Sequence, residues 1–152
     1  LPRPLDITSR EKMPLLENEI RPGTVAILDA SPLNESNEIT YANDKHEFRS
    51  GPFLCVQTDK DRSAWVNLTS QQDRRGLRLE LKPEWRLDGS DTWRKKPQYV
   101  HDARKAFVGP NRVFILAGAN ELPHRPHNRP LISPEGIEAV LAEMKKYGTK
   151  GI

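Results

Sequence analysis

Long apolar runs are missing from this chain: no stretch approaches the roughly 20 residues that span a bilayer. The N-terminus also lacks a basic segment followed by an apolar one. Neither export nor membrane insertion is expected, and a cytoplasmic location is. Cysteine is nearly absent. The single Cys55 cannot form an intrachain disulfide, and it sits in an apolar run where a reduced thiol behaves as a small hydrophobe. A secreted, disulfide-stapled class is thereby disfavoured, and Asn34-Glu35-Ser36 and Asn67-Leu68-Thr69 read as chance matches to the glycosylation pattern. No phosphate loop, zinc-finger spacing, dinucleotide fingerprint or nucleophile elbow occurs, so the common motif-led enzyme readings have no foothold. Histidine is sparse too. His124 and His127 share a proline-rich stretch without nearby Cys or carboxylates, a weak ligand set, so neither a metal nor a cofactor is expected.

What the chain does have is length enough for one core and an uneven charge. A chain of 152 residues buries enough apolar surface to fold as one domain without staples. Its net charge of +3 divides into −3 for residues 1–71, +5 for 72–112 and +1 for 113–152. The middle segment interleaves Arg74, Arg75, Arg78, Lys82 and their neighbours with Trp85, Trp93 and Tyr99. Cations for phosphates and rings for bases are what a single-stranded nucleic-acid surface requires. A solvated face of alternating strands would look the same.

Along the chain, residues 1–20 read as a tail or arm, and 21–152 as a single domain. The apolar run from Gly23 to Ala30, bounded by Pro22 and Pro32, reads as a buried strand. The polar segment from Ser31 to Ser50 reads as a long loop, with room for a short strand at Glu38 to Ala42. Pro52 to Gln57 and Ser63 to Thr69, joined by a polar turn, predict a hairpin. Leu77, Leu79 and Leu81 alternate with Arg78 and Glu80, the period of a strand with one wet face. Residues 82–99 read as a loop, and Arg112 to Ala117 as a further apolar strand stopped by Gly118. A C-terminal helix over 133–147 is the clearest element. Ser133 caps it, Pro134 suits its first position, Gly148 ends it, and Ile137, Val140, Leu141 and Met144 form one apolar face. Ile132 is placed to staple onto Ile137. The expected class is mainly β with this one helix.

From Arg21 to Gln71 the order of elements resembles the N-terminal half of the MazF/PemK toxin family. The residues that carry the resemblance are Pro22-Gly23 opening the first strand and Asp29-Ala30-Ser31-Pro32 ending it. Gly51-Pro52-Phe53 leads the second strand to Gln57-Thr58-Asp59, and the third closes on Thr69-Ser70-Gln71. A weaker echo lies at Val100-His101-Asp102-Ala103-Arg104-Lys105, and the final amphipathic helix matches the family's ending. The resemblance implies a small, antiparallel, SH3-like barrel that pairs as a homodimer, binds a cognate antitoxin protein and cuts single-stranded RNA without metal. In that chemistry the ribose 2′-oxygen attacks the adjacent phosphate and releases a 5′-hydroxyl end.

Such a reaction needs donors for the phosphorane oxygens, together with a proton acceptor and a proton donor. By resemblance Thr69 offers its hydroxyl to the phosphate. The family carries an Arg immediately before the Pro of the second strand, where this chain has Gly51, so Arg49 becomes the candidate cation if the chain bends to bring it back. His46, in the bordering loop, is the candidate acid or base. Ser70, Gln71, Arg74, Arg75 and Arg78 are candidate substrate-binding residues. Thr69 also reads as a plain strand-end residue holding a turn, and His46 as an exposed loop histidine. Two rivals to cleavage are a non-catalytic nucleic-acid or protein binding module on the same barrel, favoured by Gly51, and a gyrase poison of the CcdB type. The latter is disfavoured by a C-terminal Thr149-Lys-Gly-Ile152 without Trp.

Overall fold

The computed structural model describes residues 14–41, 49–121 and 128–152. At its centre is the expected hairpin, β3 (Gly51–Asp59) and β4 (Arg62–Thr69), with a register shift between Cys55 and Gln57. β1 (Val25–Leu28) adds antiparallel to β3. β7 (Phe107–Pro110) adds to β4, and β2 (Thr40–Tyr41) adds to β7. The sheet order is therefore β1-β3-β4-β7-β2, while β6 (Tyr99–Val100) pairs with the far end of β4. A separate two-stranded ribbon joins β5 (Arg86–Leu87) to β8 (Leu131–Ile132). Every ladder is antiparallel.

Both faces of the hairpin are covered. Leu54 and Val56 of β3 and Ala64, Val66 and Leu68 of β4 face a core shared with Ile137, Val140 and Met144 of the C-terminal helix α4 (Pro134–Lys146). Phe53, Cys55 and Trp65 face the other way, into a second core. There they meet Leu33 of α1 (Ala30–Glu35) and Val113, Phe114 and Ala117 of α3 (Asn111–Ala117). Trp65 stacks on Phe114 at 5.5 Å between ring centroids. Burial on both faces explains the unbroken apolar runs, since a strand between two layers has no wet side.

This corrects the expectation of a mainly β chain. Helix and strand contribute comparably, the class is mixed α/β, and no closed barrel forms among the described residues. Arg112 to Ala117 is the helix α3, not a strand. Phe114 and Ala117 lie one turn apart and Val113 beside them, so one helical face fills the second core, while Leu116 is left 60% exposed. The Leu77 to Leu81 alternation is realised only in its second half: Glu80 bridges to Tyr99, with Leu81 N–H donating to the Gln98 carbonyl and Val100 N–H donating to the Leu79 carbonyl. In its first half the preceding turn takes the backbone: Gln72 Oε1 accepts from Arg78 N–H and Asp73 Oδ1 from Leu77 N–H. The segment expected as a loop at 82–99 holds β5 and a short helix, α2 (Asp91–Lys95), capped by Ser90. Arg86 is buried there and donates to the carbonyls of Trp93 and Lys96. Part of the expected arm belongs to the domain, since Leu15 and Ile20 are buried in the second core.

α4 follows its sequence signals. The Ser133 hydroxyl accepts from Gly136 N–H, Gly148 takes φ 69°, and Ile132 and Ile137 share the first core. The outer edge of β1 is closed by groups from far along the chain. Ile27 N–H donates to Glu121 Oε2, Val25 N–H donates to the Pro130 carbonyl, and Arg129 donates to Val25 O. Arg129 also bridges Glu121 at 2.7 Å and Glu19 at 3.0 Å.

Candidate functional site

Thr69 ends β4, and the chain next to it is set by two ladders. Toward β3, Phe53 pairs with Asn67, which places Pro52 and the residues before it beside the end of β4; Asn67 Nδ2 donates to the Pro52 carbonyl. Toward β6, Leu68 pairs with Val100 and Thr69 with Tyr99, so His101 arrives beside Asn67, and its N–H donates to the Asn67 carbonyl at 2.8 Å. The result is an open cleft of about 270 Å³ lined by Arg49, Ser50, Pro52, Asn67, Leu68, Thr69, Gln71, Arg78 and His101.

Gly51 explains how Arg49 reaches it. Its φ is 151°, a backbone conformation that side-chain-bearing residues rarely adopt. An added Cβ would meet nothing within 4 Å, so the position selects glycine for conformation and not for space. The chain bends at Ser50, just before Gly51, the Ser50 hydroxyl accepts from Ala30 N–H, and Arg49 and Thr69 line the same cleft.

Arg78 is fixed by two carbonyls. Its Nε donates to His101 O at 3.0 Å and its Nη1 to Gln71 O at 2.7 Å. Arg49 forms no ion pair or hydrogen bond among the described residues. The Thr69 hydroxyl accepts from Gln71 N–H at 3.2 Å, the turn-holding role open to a strand-end threonine, and its proton remains available for donation.

A second cleft of about 370 Å³ shares Arg78 and His101 with the first and continues along Arg75, Leu77, Asp102, Arg104 and Tyr147. Asp102 is held there by Arg104, with both nitrogens of the fork at 3.0 Å, and by Lys105 at 3.8 Å. Burial alone would raise its carboxyl, but the hydrogen bonds and charges of Arg104 and Lys105 outweigh it and hold the group below the usual range. His101 beside it is shifted in the same direction, downward. Burial, then Arg78 and Lys105, and more weakly Arg49, lower its pKa against the opposing pull of Asp102. A lowered pKa favours the uncharged ring.

Of the residues singled out by sequence, Arg49, Thr69, Gln71 and Arg78 come together. Arg75 lines the adjoining cleft, while Ser70 and Arg74 line neither. His46, His124 and His127 lie outside the described residues. His101 is the titratable group that the sequence did not single out. Its signal was present in the weak echo from Val100 to Lys105, but only the β4–β6 pairing carries it to Thr69. Among the described residues no cluster of three or more His, Cys, Asp or Glu is placed to hold a metal ion, and no helix is long and apolar enough to cross a membrane. No family model, no curated protein and no solved structure matches the chain, so the functional reading rests on the geometry of the cleft.

Proposed function

We propose that this protein is a metal-independent endoribonuclease of the MazF/PemK toxin type, acting on single-stranded RNA in the cytoplasm. The observation that carries the reading is the convergence of Arg49, Thr69 and Arg78 on one cleft. Two guanidinium groups and a hydroxyl are the donors that a pentacoordinate phosphorane requires, and fixed donors stabilise developing charge without reorganisation. The six-stranded antiparallel sheet, with its register shift in β3, is on this reading an open version of the family's SH3-like barrel. A homodimer would extend the groove across a two-fold axis, and a cognate antitoxin would cover it.

The second reading is a binding module that holds RNA without cutting it. It is favoured by the Thr69 hydroxyl, which already serves the Gln71 turn. One experiment separates the two. Purified protein is incubated in EDTA with a long single-stranded RNA, and the ends are analysed. The nuclease reading expects 5′-hydroxyl and 2′,3′-cyclic phosphate ends, and no cut at a site whose ribose is 2′-deoxy. RNA that is bound but intact would establish the binding module instead.

A further inference from the structure

We propose that His101 is the general base of this cleft, taking the proton of the attacking ribose 2′-hydroxyl. The inference rests on the reading of the cleft as an RNA-cleaving site. It begins with placement. His101 is fixed through its backbone on both sides, its N–H on the Asn67 carbonyl and its carbonyl under Arg78 Nε. The backbone at His101, one residue past β6, is therefore held by hydrogen bonds on both sides. His101 borders both clefts, between the Arg49–Thr69 end and the Arg104–Tyr147 end. A phosphate gripped by Arg49 and Arg78 would carry its neighbouring ribose past the imidazole.

Among the described residues, the carboxylates that line the two clefts each have a partner. Asp102 is tied to Arg104 and Lys105. Asp73 accepts from Leu77 N–H, and Glu143 lies within 4.0 Å of Lys146. A base must be unprotonated before it acts, and the field around His101 arranges this. Burial and the cations Arg78, Lys105 and Arg49 together outweigh Asp102. The arriving phosphate then offsets those same cations, so the imidazole becomes a stronger base once substrate is bound.

The step balances without an external oxidant or reductant. The 2′-oxygen forms a bond to phosphorus, and the bond from phosphorus to the 5′-oxygen breaks. The 2′-hydroxyl proton passes to the imidazole, the leaving 5′-oxygen takes a proton from water, and the imidazolium returns its own to water. The products are a 2′,3′-cyclic phosphate and a 5′-hydroxyl. Arg49, Arg78 and the Thr69 hydroxyl donate to the non-bridging oxygens.

The test uses the full chain, with RNA cleavage in EDTA followed from pH 5 to 9 and RNA binding measured in parallel. His101→Ala should lower cleavage by about 10² to 10⁴, the usual worth of a positioned base, and leave binding within about two-fold. Added imidazole should restore part of the rate. The wild-type acid limb, set by protonation of the base, should vanish in the variant, and it should lie at lower pH in kcat/KM than in kcat. His101→Gln, which keeps a polar side chain of similar reach, gives the same comparison should the alanine variant fold poorly. A wild type that cuts RNA while both variants match its rate and pH profile would overturn the role of His101 and leave the nuclease reading standing. So would a rate loss in which the acid limb persists and imidazole does nothing. A wild type that binds and never cuts would remove both.

Discussion

Arg49, two residues before β3, and Thr69, at the end of β4, reach the same cleft, and the cost of losing each should show in the rate more than in the affinity. A donor that acts on the crowded phosphorane matters most in the transition state, so Arg49→Ala and Thr69→Ala should each lower cleavage by about 10² to 10³ with a smaller effect on binding. Arg49→Lys should restore little, because an ammonium cannot reproduce a two-pronged guanidinium contact. Thr69→Ser should keep most of the activity, since the serine hydroxyl can both accept from Gln71 N–H and donate to phosphate. Steady-state kinetics and filter binding on these four variants check the point, and equal losses in rate and affinity would contradict it. Cys55 makes a separate prediction about stability. Burial pushes its thiol up to about 12 from an ordinary 9.0. The unfolded chain ionises first, so this group leaves stability untouched below pH 9.0 and lowers it progressively as pH rises from there toward 12. Denaturant melts should show the wild type's advantage over Cys55→Ala narrowing across that window. A pH-independent difference would contradict the assignment.

At the scale of elements, α4 docks through a glycine. A Cβ on Gly136 would stand 2.6 Å from Ile132 Cγ2 and 3.0 and 3.1 Å from the Cβ and Cγ of Trp85. Alanine ordinarily favours a helix over glycine by about 1 kcal/mol. Here Gly136→Ala should instead destabilise by about 1–3 kcal/mol, because the packed indole leaves no room for the methyl group. Equilibrium unfolding reads the sign directly. The same helix was fully legible in the sequence, because its cap, its terminal glycine and its apolar spacing are local signals that agree. The β3–β4 hairpin was legible for a similar reason. α3 was not, since the five apolar residues from Val113 to Ala117 are too few to distinguish a buried strand from a buried helix. The Leu77 to Leu81 segment was legible only in part, since the Gln72 and Asp73 side chains take up the N–H groups of Arg78 and Leu77 and pairing begins only at Leu79, against Gln98 to Val100. At the cleft, Thr69 and Gln71 could be read from one strand end, and Arg49 only with the bend just before Gly51. His101 depended on a pairing between β4 and β6 across some thirty residues of chain, which no local pattern encodes.

For the whole molecule, the basic middle segment sets how binding should respond to ions. If Arg49, Arg75 and Arg78 each neutralise one phosphate of a single strand, the logarithm of affinity should fall against the logarithm of salt with a slope of about −2. Titrations between low and high salt measure this, and an affinity indifferent to salt would make the arginines a solvated face. One last consequence follows from the edge of β1. Ile27 bonds to a residue 94 positions later, and Val25 to one 104 later. In a nascent chain made from its N-terminus, β1 is complete long before Glu121, Arg129 and Pro130 emerge. Until they do, its outer backbone groups stand unpaired, a template for any other strand. The interval of vulnerability to aggregation is thus fixed by the pace of synthesis, and a chain halted before Glu121 would remain in it.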